Sequence, residues 1–121
     1  MLEKIKATAN FITERINARP EIGIILGTGL GGLVNEIEII DSIPYSEIPN
    51  FPVSTVQGHA GRLIYGKLGE KEVLAMQGRF HYYEGYSMEE VTFPVRVLKF
   101  VGIKNLFVPS IRKLNYNHRY L

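Results

Sequence analysis

The sequence predicts an α/β domain. Apolar residues recur at helical spacing near the N-terminus, residues 22–26 are a short apolar run, and residues 104–108 are a second buried-strand candidate. Between them lie a β-hairpin pattern and then a helix-capping signature. Helices that alternate with apolar strands along a chain give this fold class.

Leu2, Ile5, Ala9, Ile12 and Ile16 recur at spacings of three and four, which predicts an amphipathic helix from Leu2 to Ala18, ended by Pro20. Ile22 to Leu26 is continuously apolar, the pattern of a strand buried on both faces. Gly27-Thr28-Gly29-Leu30-Gly31-Gly32 follows at once and reads as a tight loop. Glu36 to Ile40 alternates well enough for another strand, and Pro44 to Pro52, with Pro49 between, reads as loop. Arg62 to Leu68 and Lys71 to Met76 flank Gly69-Glu70 as a hairpin. Gln77 to Tyr86 is polar and aromatic without a period. Ser87 with Glu90 three residues on is a capping box. The helix it opens runs toward Val101, with a kink or restart expected at Pro94 and a stop at Gly102. Lys104 to Val108 is a further buried-strand candidate. There is no internal repeat and no linker, so residues 1–121 read as part of a single domain.

A length of 121 residues suits one core rather than two. With 45% apolar and 21% charged residues the composition is ordinary for a globular protein. The net charge of +2 is spread among interspersed charges of both signs, so neither nucleic acid nor a membrane is an expected partner. Without cysteine there is no disulfide framework and no thiolate metal site. The start, Met1 to Lys6, lacks the apolar run of a signal peptide, and a cytoplasmic location is expected.

Gly27-x-Gly29-x-x-Gly32 satisfies the dinucleotide fingerprint literally, and it follows a strand. The fingerprint also needs a crossover helix of roughly ten or more residues. Only Leu33 to Asn35 separates these glycines from the next alternation, so a dinucleotide-dependent oxidoreductase is disfavoured. A narrower reading survives. Backbone N–H groups of a glycine loop, with the Thr28 hydroxyl, suit a bound anion. A sharp turn that needs positive φ explains the same glycines and is compatible with it.

Gln77 to Tyr86 is the densest chemical stretch. Arg79 offers a fork of donors matched to phosphate oxygens. In an extended segment His81 and Tyr83 project on the same side as Arg79, and Glu84 is placed to orient or charge the histidine. That set suits a phosphate-using substrate. An aromatic-rich loop packing its rings on the core is the competing reading. Ser54 to Arg62 adds His59 among small residues, a position equally compatible with an ordinary surface histidine. With two candidate histidines, no cysteine and no carboxylate at ligand spacing, no metal site is expected.

Taken together and in order, these segments are specific. Gly27-Thr28-Gly29-Leu30-Gly31-Gly32, Ile48-Pro49-Asn50-Phe51-Pro52, Ser54-Thr55-Val56-Gln57-Gly58-His59-Ala60-Gly61-Arg62, Met76 to Tyr86, and Val91-Thr92-Phe93-Pro94-Val95-Arg96-Val97 closely resemble the trimeric, inosine- and guanosine-preferring purine nucleoside phosphorylases. The resemblance runs from about Ile5 to Val108. The methylthioadenosine phosphorylases match less well.

The resemblance implies a three-layer α/β/α fold with a mixed twisted sheet, incomplete here at the C-terminus. It also implies phosphate-dependent cleavage of the N-glycosidic bond of purine (deoxy)nucleosides, a homotrimer, and inorganic phosphate as co-substrate with no cofactor. By position it implies phosphate binding for Thr28, His59, Arg79, Phe80 and His81, and sugar contact for Tyr83. His81 and Glu84 take the catalytic positions, with Glu84 supporting His81.

After Asn105-Leu106-Phe107-Val108 the family continues Thr-Asn-Ala-Ala-Gly-Gly or a close variant. This chain instead reads Pro109-Ser110-Ile111-Arg112-Lys113 and runs to Leu121 as a divergent tail. The abrupt change reads as a frameshift, partly restored at Leu114-Asn115, in a truncated gene. The family's base-reading glutamate and asparagine, and a histidine near the sugar, fall beyond Leu121. The expectation is a chain that keeps the phosphate half and has little or no turnover alone; a non-catalytic phosphate- or nucleotide-binding remnant is the alternative.

Overall fold

The computed structural model describes residues 1–26, 31–52, 61–78 and 87–108. Five strands form one sheet in the order β2-β3-β4-β1-β5. They are β1 (Ile22–Leu26), β2 (Glu38–Pro44), β3 (Arg62–Leu68), β4 (Lys71–Gln77) and β5 (Asn105–Phe107). Helices α1 (Leu2–Ile16), α2 (Gly31–Val34) and α3 (Met88–Val101) complete the described elements. The sheet is mixed: β1 pairs in parallel with both β4 and β5, whereas β3 runs antiparallel to β2 and β4. The predicted α/β class is the observed one.

The apolar stripe of α1 is the predicted one, with Ile5, Ala9, Ile12 and Ile16 buried. Thr8 lies on the same buried face. Its hydroxyl stands 2.8 Å from the Lys4 carbonyl and 2.9 Å from that of Pro49, and accepts from Asn50 Nδ2. The helix ends earlier than the expected Ala18, because Asn17 turns left-handed and returns its N–H to the Thr13 carbonyl. Pro20 therefore follows the stop rather than making it.

Parallel neighbours on both sides explain why β1 reads as an unbroken apolar run. The hairpin forms around Gly69-Glu70 in the register Leu68↔Lys71 to Arg62↔Gln77, one residue longer in its second strand than predicted. The strand expected at Glu36 to Ile40 begins later and runs to Pro44. Glu36 and Ile37 are taken up in a turn onto Leu33 and Val34, and pairing with β3 carries the strand onward past a bulge at Ile39/Asp41.

Both capping-box bonds are made: Ser87 Oγ accepts from the Glu90 N–H, and the Glu90 carboxylate accepts from the Ser87 N–H. Pro94 does not restart α3, which continues through it as one element to Val101. Phe93, Pro94, Val97, Leu98 and Val101 are buried, so packing against the core offsets the backbone hydrogen bond the proline removes. The Gly102 N–H closes the helix on Leu98 and Lys99.

On one face of the sheet α1 and α3 share a core with Leu63, Tyr65, Leu74, Met76 and Leu106. The stretch expected to be loop also enters this core. A 3₁₀ turn at Tyr45–Glu47 leads into it, and Tyr45, Ile48 and Phe51 are buried there. Phe51 sits between the rings of Tyr45, tilted at 51° (5.5 Å between centroids), and Phe93, edge-to-face at 81° (6.2 Å). The opposite face holds Ile24, Leu26, Ile64, Val73 and Ala75, with Val34 and Ile37 against them. Among the described residues α2 is the only helix on that side, beside an apolar depression of about 350 Å³ bounded by Ile22, Ile24, Leu33, Leu68, Val73 and Phe107. No described helix is long and apolar enough to cross a membrane.

Candidate functional site

Thr28, His59, Arg79, Phe80, His81, Tyr83 and Glu84 lie outside the described residues. What the structure fixes is where the segments that carry them join the sheet. Segment 27–30 follows Leu26, the last residue of β1; segment 79–86 follows Gly78, directly after β4; segment 53–60 precedes Gly61, directly before β3. Because β1 and β4 are parallel with Leu26 opposite Gln77, both end at the same edge. Because β3 is antiparallel to β4 with Arg62 opposite Gln77, it begins there. Ligands of open α/β sheets bind outside the carboxyl ends of parallel strands, and this is that edge.

The three junctions are bonded to one another. The Gly78 N–H donates to the Leu26 carbonyl at 3.2 Å. The Gly61 carbonyl accepts from the Tyr45 N–H at 3.0 Å, and the Tyr45 hydroxyl donates to the Gly78 carbonyl at 2.8 Å. Beneath them Arg62 donates through Nε to Gln77 Oε1 at 2.7 Å and through Nη1 to Ser42 Oγ at 3.2 Å. Burial pushes the Tyr45 hydroxyl well above the ordinary phenol pKa, so it stays protonated in alkaline solution where an exposed tyrosine ionises.

Glycine is required at two of these junctions. A Cβ on Gly61 would stand 2.5 Å from Tyr45 Cε2 and 2.6 Å from the Gln77 carbonyl oxygen. Gly78 has φ of 113°, and a Cβ there would come within 3.2 Å of the Gly61 Cα. Backbone here approaches backbone more closely than side chains allow.

Beyond segment 27–30 the chain makes the single turn of α2 and proceeds to β2, on the far side of the sheet from β1. No crossover helix joins β1 to a parallel neighbour through this loop, as its length required. The described topology does not supply the βαβ unit that a dinucleotide fingerprint requires.

A family model described as the phosphorylase superfamily matches residues 21–109, which span all five strands and the junctions just described. The chain belongs to the phosphorylase superfamily. Within it the sequence is similar to purine nucleoside phosphorylase 1 of Geobacillus stearothermophilus, 60% identical over 106 residues, covering 88% of this chain and 39% of the relative. It is similar also to purine nucleoside phosphorylase 1 of Bacillus subtilis, 56% identical over 110 residues, covering 91% of this chain and 41% of the relative. The solved structure of isoform 2 of the Schistosoma mansoni purine nucleoside phosphorylase, complexed with cytosine and ribose-1-phosphate, superposes with a TM-score of 0.81. It is 48% identical, covering 88% of this chain and 37% of that one. The chain thus spans about two-fifths of the length of the curated relatives it matches.

Tyr45 is the site-edge residue that sequence reasoning passed over, whereas Arg62 and Gln77 fell inside quoted motifs but were given no role. Tyr45 sat in a stretch read as loop, and its partner carbonyl is 33 positions away. An aromatic residue among prolines was the one available signal.

Proposed function

We propose that the chain is the phosphate-binding part of a purine nucleoside phosphorylase. The reaction splits the N-glycosidic bond of a purine (deoxy)ribonucleoside with inorganic phosphate, giving free base and (deoxy)ribose 1-phosphate. The observation that carries this reading is the convergence of the three candidate segments at Leu26, Gly61 and Gly78 on one sheet edge. The ribose-1-phosphate complex of the similar schistosome protein supports it.

In this reading Thr28, His59, Arg79, Phe80 and His81 bind phosphate, Tyr83 contacts the sugar, and Glu84 supports His81. As the glycosidic bond breaks, positive charge develops on the sugar. A phosphate dianion held beneath it stabilises that charge and then bonds to the anomeric carbon, while the bonding electrons leave with the base. The protein's part is to position the anion without fully neutralising it. Phosphate is the co-substrate, and no cofactor enters the reading. A homotrimer, a cytoplasmic location and a place in purine salvage belong to the same proposal.

The test is phosphorolysis of inosine and guanosine by purified chain of confirmed mass, with and without phosphate. Phosphate-dependent release of hypoxanthine or guanine establishes turnover by these residues. Phosphate binding without release establishes a phosphate half that requires more of the enzyme. Folded protein that does neither overturns the proposal.

A further inference from the structure

We infer that Tyr45 is a positioning residue for the phosphate site, tying together the junctions from which the candidate segments leave the sheet. The inference rests on the phosphate reading proposed above.

Tyr45 follows β2, an edge strand, yet its hydroxyl reaches past Gly61 at the start of β3 to the Gly78 carbonyl at the end of β4. Its own N–H holds the Gly61 carbonyl, and Gly78 in turn holds Leu26. Gly78 is the last described residue before Arg79, and Gly61 the first after segment 53–60. One residue thus engages two junctions directly, Gly61 through its backbone N–H and Gly78 through its hydroxyl, and the third through Gly78.

A purely space-filling role is met by phenylalanine, since the ring is buried beside Phe51. The hydroxyl adds a direction. It pins the Gly78 carbonyl, in a backbone conformation that glycine alone adopts readily. It acts on the edge.

The experiment compares the wild-type chain with Tyr45→Phe and with Thr8→Val as a control. Thr8 is likewise buried, and its hydroxyl likewise bridges the chain to a distant carbonyl, that of Pro49, but it sits on α1. Inorganic phosphate is titrated calorimetrically into each protein, and hydrogen exchange of the Gly78 amide is followed in each.

Tyr45→Phe is expected to weaken phosphate binding by roughly fivefold or more, the equivalent of one buried hydrogen bond. It is also expected to speed Gly78 exchange beyond any global loss of stability. Thr8→Val is expected to lower stability without either change. Equal effects of the two variants on phosphate and on exchange overturn the inference. So does unchanged phosphate affinity in a Tyr45→Phe protein whose Gly78 exchange has risen. If wild-type protein binds no phosphate while Tyr45→Phe still frees Gly78, the phosphate reading fails and the tie itself stands.

Discussion

Arg62 and Gln77 face each other across the ends of β3 and β4, and their side chains close the ladder with a 2.7 Å bond from Nε to Oε1. A cross-strand polar pair at the last register position keeps two strands from fraying where segments of chemical interest depart. Gln77→Leu removes the acceptor while Arg62 keeps Ser42. The expected cost is about 1 kcal/mol, since the pair is only half-buried. Thermal unfolding of Gln77→Leu, Arg62→Met and the double variant checks this. The two single losses are expected to overlap in the double rather than add.

Gly61→Ala probes how tightly that edge is built. The added methyl meets the Tyr45 ring at 2.5 Å and the Gln77 carbonyl at 2.6 Å, and the carbonyl belongs to a strand paired on both sides. Neither neighbour yields without disturbing the sheet. A loss of about 1–3 kcal/mol is expected, the usual range for overpacking. Urea unfolding is expected to show a lower midpoint with an unchanged slope. Gly69→Ala gives the contrast, because a Cβ there meets nothing within 4 Å and the cost is only that of its positive φ.

The alkaline limb of stability reports on Tyr45. Burial raises its folded-state pKa above the ordinary phenol value of about 10. Unfolded chain therefore releases this proton while folded chain retains it. The contribution is fully present below pH about 10 and is lost as pH rises further. In two-state denaturation at pH 9 to 11, wild type is expected to lose more stability than Tyr45→Phe. The difference grows by up to about 1.4 kcal/mol per pH unit. Parallel curves for the two proteins would show that the phenol is not held neutral by burial.

What could be read from sequence follows the range of the interactions. The stripe of α1, the run of β1, the Gly69-Glu70 hairpin and the Ser87/Glu90 capping box are written within a few residues, and each formed where expected. Boundaries set by partners were less legible. β2 extends to Pro44 because β3 lies beside it, and α3 runs through Pro94 because the core holds the proline in place. Pro44 to Pro52 read as loop, since prolines punctuate it, yet Tyr45, Ile48 and Phe51 are core residues. The meeting of Leu26, Gly61 and Gly78 depends on which strands pair and in which direction, and no local pattern states that. The candidate chemistry was visible only as residue types, and the place where its segments join the sheet only as topology.

Arg79 offers the most direct test of the proposed phosphate role. It follows Gly78, whose carbonyl is pinned by Tyr45 and whose N–H is held by Leu26. A guanidinium binds phosphate through paired parallel hydrogen bonds, a geometry that lysine's single ammonium does not reproduce. Arg79→Ala is expected to lose about 1.5–3 kcal/mol of phosphate affinity, roughly 10- to 150-fold in Kd. Arg79→Lys is expected to recover only part of it. Arg96, exposed on α3, serves as the control: Arg96→Ala removes the same charge from the chain and is expected to leave the affinity within twofold, roughly a few tenths of a kcal/mol. Equal losses from the two alanine variants would mean that net charge, rather than a fork at position 79, attracts the anion.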